Sequence, residues 1–140
     1  MKIARLFLAI ALFIPFISSN GQSSKKEVSG SSSDKIEAYY FHFTARCTTC
    51  KTIEAKAKEN LETLYPNQVK QGLITFQSLN LEEAPNKTLA DKLGVSGQAL
   101  LLVKGDQKIN LTNEGFLYAV AKPEKFKEII NEKVEGLLIK

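Results

Sequence analysis

Phe43-Thr44-Ala45-Arg46-Cys47-Thr48-Thr49-Cys50-Lys51 holds both cysteines of the 140-residue chain, two residues apart. Ahead of it runs Tyr39-Tyr40-Phe41-His42-Phe43, aromatic and strand-like. Behind it, apolar or small residues recur at Ile53, Ala57, Leu61 and Leu64, the spacing of one helical face. A dithiol at a strand-to-helix turn has a physical reason to react. Unpaired backbone N–H groups and the positive end of the macrodipole gather at a helix start, and both favour an anion there. Here that anion would be the Cys47 thiolate. A free cysteine with a pKa of ~8.5 is only a few per cent ionised at neutral pH. A value of ~7, reached in Cys-x-x-Cys motifs, would put roughly half of it in the reactive form.

Working outward, residues 36–43 form a nearly continuous apolar and aromatic run, which predicts a strand buried on both faces. The helix after the dithiol should run to about Tyr65, with Pro66 and Asn67 ending it. Residues 73–81 have strand character, and a second strand parallel to the first would need a right-handed crossover. A short helix is predicted over 85–93, closed by Gly94 as a left-handed cap. Residues 99–103 read as a third, buried strand. Lys104-Gly105-Asp106 then turns the chain into 107–111, an antiparallel hairpin. Pro123 opens a last helix whose apolar stripe is Phe126, Ile129, Ile130, Val134 and Leu137. The order is β-α-β-α-β-β-α, and there is no internal repeat.

The N-terminal third reads differently. Lys2 and Arg5 precede an apolar run over 6–17, followed by Ser18-Ser19-Asn20-Gly21. Charged start, short apolar core and small-residue end are the layout of an export signal. A spanning helix needs ~20 apolar residues; this run is shorter and contains Pro15. Ser19 and Gly21 place cleavage before Gln22, so residues 1–21 are expected to be a signal peptide, with an uncleaved anchor as the alternative. Residues 22–34 are rich in Ser, Gly and charge, too polar to offset the entropy of ordering them, and read as a disordered lead-in. The folded domain is then 35–140. The expected location is periplasmic or extracellular, with the membrane touched only through the export signal.

Formal net charge is +4, of which Lys2 and Arg5 supply two. Basic and acidic residues interleave, as in Lys56-Ala57-Lys58-Glu59, which is the pattern of a solvated helix face. With no Trp and no basic–aromatic platform, nucleic acid is not an expected partner. No phosphate loop, serine triad or paired catalytic carboxylates stand out.

The two cysteines admit three readings. As a structural disulfide they would close a loop of about four residues, worth about 2 kcal/mol against ~3 for a fifteen-residue loop. As half of a zinc site they would need two more ligands, and His42 is the only soft candidate; a Cu(I) site is a related option. As a redox dithiol they need only each other. The redox reading is preferred. His42 itself reads as a strand imidazole packed against a helix, as a proton acceptor for Cys50, or as a metal ligand. Strand neighbours alternate faces, so His42 and Phe43 cannot both point at the dithiol. Tyr39, Tyr40, Phe41, Phe43 and Phe76 are expected in the core.

Over residues 36–138 the chain resembles thioredoxin-fold proteins. The resemblance rests on the dithiol and on Leu93-Gly94-Val95-Ser96-Gly97-Gln98-Ala99-Leu100-Leu101-Leu102-Val103-Lys104-Gly105, similar to the family's glycine–valine turn into its central hairpin. The segments around Tyr40 and Cys47 look closest to exported thioredoxin-like proteins grouped as nitrophenyl-compound nitroreductase subunits (ArsF-like). The resemblance implies an α/β sandwich with a central mixed sheet and a thiol–disulfide oxidoreductase activity without a bound organic cofactor. It makes Cys47 the attacking thiol and Cys50 the buried resolving one, with a protein disulfide or a redox partner protein as substrate.

Four features depart from the family pattern. Ala99 stands where thioredoxins place a cis-proline, and a cis bond before a non-proline residue costs ~2.5–4 kcal/mol, so a trans peptide and a reshaped groove are expected. Arg46 replaces an aromatic and would favour the Cys47 thiolate. Phe41 replaces a buried acid, which puts the standard proton route in doubt. Thr48-Thr49 replaces a proline-bearing spacer; ~30 mV of potential is about 1.4 kcal/mol, so one hydroxyl hydrogen bond could move it. These departures keep open a soft-metal-binding module or a redox-silent partner subunit.

Overall fold

The inner strand β1 (Ile36–His42) organises the computed structural model, which describes residues 34–139. The expected signal at 1–21 and nearly all of the expected lead-in lie outside the described residues. After β1 come α1 (Thr48–Leu64), α2 (Pro66–Lys70), β2 (Ile74–Asn80), α3 (Ala84–Leu93), β3 (Ala99–Lys104), β4 (Gln107–Asn110), α4 (Thr112–Tyr118) and α5 (Pro123–Leu138). The strands form one mixed sheet in the order β2-β1-β3-β4. β1 and β2 run parallel, with Ile36 opposite Ile74 and His42 opposite Asn80. β3 lies antiparallel to β1 and β4 antiparallel to β3. This is the thioredoxin-like α/β arrangement expected from the order of elements.

Both faces of β1 are covered, as its nearly continuous apolar run predicts. Ile36, Ala38 and Tyr40 enter one cluster with Ile53, Ala57 and Leu61 of α1 and Phe126, Ile130, Val134 and Leu137 of α5. Tyr39 and Phe41 enter the other with Leu101 and Val103 of β3, Ala90 of α3, Leu81 and Val95. Burying a side chain such as Phe126 or Ile130 contributes about 1.5–3 kcal/mol relative to leaving it exposed. The parallel β1–α1–β2 crossover therefore sandwiches the sheet between α1 and α5 on one side and α3 on the other. α3 ends at Gly94, whose φ of 74° is the left-handed cap the sequence suggested.

The structure departs from the expectations in four places. α1 stops at Leu64, where the helix was expected to end, but Pro66 opens a further, unanticipated helix α2, where its missing N–H costs nothing in the first turn. Helix α4 was not anticipated between the hairpin and Pro123. It is only seven residues long, too short to show a period. It seats on α1 through Gly115, where an added Cβ would come within 2.9 Å of Ile53 Cγ2. Phe43 is not core; it is 43% exposed at the end of β1. Phe76, on the edge strand β2, is only partly buried against the α1/α5 cluster.

Candidate dithiol site

The C-terminal ends of the parallel strands β1 and β2 point the same way, and the segment from Phe43 to Arg46 carries the chain from that edge into α1. Cys47 is the N-cap of α1, with extended backbone (φ −71°, ψ 162°), and its Sγ accepts the Cys50 backbone N–H at 3.1 Å. The side chain therefore takes the place that Ser, Thr or Asp usually fills at a helix start. A thiolate there would accept the same N–H as a charged, stronger acceptor. Cys47 is exposed while Cys50, one turn in, is buried at 6% exposure. The two are joined in a disulfide with Cα atoms 5.1 Å apart. One sulfur open to an incoming partner and one shielded behind it is the geometry that exchange through a mixed disulfide requires.

The approach to Cys47 is pinned from β2. Thr44 Oγ1 donates to Glu82 Oε2 at 2.6 Å, and the Thr44 N–H donates to Oε1 at 3.3 Å. Asn80 Nδ2 donates to Thr44 Oγ1 at 2.8 Å, and the Glu82 N–H returns to Asn80 Oδ1 at 3.0 Å. The hydroxyl and then the N–H of Thr44 hold the Glu82 carboxyl below its ordinary pKa.

The far side of the dithiol is fixed by Tyr40. Its hydroxyl donates to the Cys50 carbonyl at 2.8 Å and accepts from Gln98 Nε2 at 2.6 Å. One side chain thus connects the inner strand, the first turn of α1 and the segment leading into β3. Burial first, and then the Glu54 carboxylate, push the Tyr40 phenol up to about 12, with Arg46 and Gln98 pulling the other way. At neutral pH it is a donor, not a base.

Each residue singled out from the sequence has a definite place. Arg46 precedes Cys47, but its guanidinium is paired with Glu54 of α1, both side chains about a quarter exposed at 23% and 24%. Thr48 is exposed and Thr49 half-buried in the first turn of α1; the Thr48 carbonyl accepts the Thr52 hydroxyl at 3.1 Å. His42 is buried at 8% exposure, its ring tilted beside Tyr40 with centroids 6.1 Å apart. Its Nδ1 lies 2.9 Å from the Phe43 carbonyl, the contact of a donating Nδ1–H tautomer. Among the described residues, no three His, Cys, Asp or Glu side chains gather as a metal-holding group, so His42 does not complete such a set with the dithiol. Ala99, buried at 5% exposure, opens β3 opposite Phe41, and the peptide before it is trans. Beside it lies a groove of about 550 Å³, lined in part by Ser96, Gln98, Thr112 and Glu114.

Four residues around the site escaped the reading of the sequence: Tyr40 in its polar role, Gln98, Glu54 and Glu82. Glu54 carried a signal, since it lies four residues after Cys50 and seven after Cys47, the same helical face. Gln98 and Glu82 become visible only once strand pairing brings their segments to the dithiol edge.

No family model matches the chain, and no curated protein does. Several solved structures are similar at low identity. The germline-specific thioredoxin Deadhead of Drosophila melanogaster is 16% identical over 72% of this chain and 83% of its own, with a TM-score of 0.46. The thioredoxin of Fasciola hepatica is 17% identical over 72% and 83%, with a TM-score of 0.45. A malarial protein is 19% identical over 63% and 96%, with a TM-score of 0.40.

Proposed function

We propose that this protein is a thiol–disulfide oxidoreductase that exchanges electrons with a partner protein through Cys47 and Cys50. The observation that carries the reading is the asymmetry of the pair. Cys47 is exposed as the N-cap of α1, and Cys50 is shielded one turn behind it at disulfide distance. In the reducing direction the Cys47 thiolate attacks one sulfur of the partner's disulfide and expels the other as a thiolate. A Cys47–partner disulfide results. Cys50, as its thiolate, then attacks Cys47 Sγ, closing the Cys47–Cys50 bond and releasing the second partner thiol. Two electrons pass from the dithiol to the partner, and the reverse sequence oxidises a partner dithiol.

The leader-like layout of residues 1–21 supports placing this exchange outside the cytoplasm, where disulfides form and persist. From the family resemblance we carry over thiol–disulfide exchange only; a place in a nitroreductase assembly has no residue of this chain behind it.

Trapping tests the reading. Cys50→Ser should accumulate a mixed disulfide between Cys47 and a disulfide-containing client, visible as a reducible adduct on non-reducing gels. Cys47→Ser should form none. Equal adducts on both variants, or none on either, would count against the assignment.

A further inference from the structure

Glu54 plays no part in the exchange written above, yet it shares a helical face with both cysteines. Cys47 caps α1, Cys50 lies one turn in, and Glu54 one turn further. Its carboxylate holds the guanidinium of Arg46, the residue that leads into Cys47, across a separation of eight residues. The Arg46 guanidinium is therefore held in an ion pair on the helix that carries the dithiol.

We propose that Glu54 is a positioning residue for the dithiol: by pairing with the Arg46 guanidinium it offsets that positive charge beside Cys47 and keeps the reduced pair less acidic. The proposal rests on the exchange reading for its purpose, although the charge effect on reduced Cys47 is measurable without it. The buried Tyr40 hydroxyl, 2.8 Å from the Cys50 carbonyl, feels both partners: Glu54 raises its pKa more than Arg46 lowers it. A dithiol whose thiolate is not stabilised by a nearby cation gives up electrons more readily, because a stabilised reduced form makes an oxidant. The Arg46-Cys47 sequence alone would push the protein toward the oxidising end, and Glu54 opposes that push.

The test is the alkylation rate of reduced Cys47 by iodoacetamide, mapped by mass and followed against pH at low salt in the full chain. An opposite charge within ~4–6 Å lowers a pKa by 1–3. Solvent screening of a part-exposed pair weakens this, so Glu54→Gln should alkylate about threefold faster near neutral pH, with a lower midpoint. Glu54→Asp should stay near the wild-type rate. Arg46→Gln should be no faster than wild type, and Arg46→Gln with Glu54→Gln should match Arg46→Gln alone. Tyr40 and His42 on β1, Lys51 on α1 and Glu114 on α4 are present in every variant, so they do not enter the comparison. A Glu54→Gln rate equal to or below wild type would overturn the proposal. So would an acceleration that survives without Arg46, since Glu54 would then act directly. Failure of the exchange reading shows elsewhere, as a disulfide with no accessible potential, and leaves these rates standing.

Discussion

The hydroxyl of Tyr40 donates to the backbone carbonyl of Cys50 across 2.8 Å, tying the inner strand of the sheet to the first turn of the dithiol helix. When Cys47 is engaged with a partner, the Cys47–Cys50 bond is absent. The position of Cys50 then depends on its helix and on this hydrogen bond. Tyr40→Phe keeps the ring in the core and removes the bond. It should cost about 1 kcal/mol in denaturant unfolding, the net value of a typical intramolecular hydrogen bond. It should also slow release of the partner from Cys47 more than it slows capture, as stopped-flow traces of the two steps would show. Gln98 reaches Cys50 only through Tyr40. The double variant with Gln98→Ala should therefore be less damaging than the two single losses added together.

Glu82 anchors the approach to Cys47 through Thr44. Its folded pKa lies below its ordinary value, so its contribution is present above the unfolded pKa of ~4.3 and is lost as pH falls through the folded value. The Thr44 amide resonance should titrate with a midpoint below the ordinary glutamate value, and Glu82→Gln should abolish that titration. A Thr44 amide indifferent to acid would show that the anchor is not held in solution.

Gly115 lets α4 approach α1 closely. A methyl added there meets Ile53 Cγ2 at 2.9 Å, with Cγ1 and Cδ1 at 3.5 and 3.6 Å. A buried β-branched side chain cannot swing aside freely. Gly115→Ala should cost about 1–3 kcal/mol, the usual range for overpacking, despite its gain in helix propensity. Equilibrium unfolding in urea measures it. A stabilised Gly115→Ala protein would mean that α4 shifts without loss.

His42 is packed beside Tyr40 and bonded to the neighbouring backbone. His42→Ala should lower stability by about 1–3 kcal/mol, through lost packing and an orphaned carbonyl. It should leave the rate of Cys47 alkylation unchanged. A slowed reaction at unchanged stability would restore the imidazole as a proton acceptor.

Much of this architecture is legible because its signals are local. The nearly continuous apolar run that opens at Ile36, Gly94 at the helix cap and Pro123 at the start of α5 each state a backbone preference that the tertiary structure has no reason to oppose. Cys47 and Cys50 announce the site through spacing alone. Other features depend on which segments meet. Nothing near Phe43 says that its strand has already left the sheet, so an aromatic in an apolar run reads as core. Tyr40 likewise reads as core, and its ring is; the polar role belongs to one atom, defined by Cys50 and Gln98 from other elements. Arg46 looked like a lone cation until α1 brought Glu54 beside it.

An equilibrium redox titration of the protein, scoring Cys47 and Cys50 by alkylation mass shift in buffers of known potential, tests the central claim most directly. A working dithiol predicts one reversible two-electron transition between ~−270 and ~−120 mV, the span of known thiol–disulfide catalysts. A bridge that remains oxidised below ~−300 mV would be a structural staple and would contradict the account.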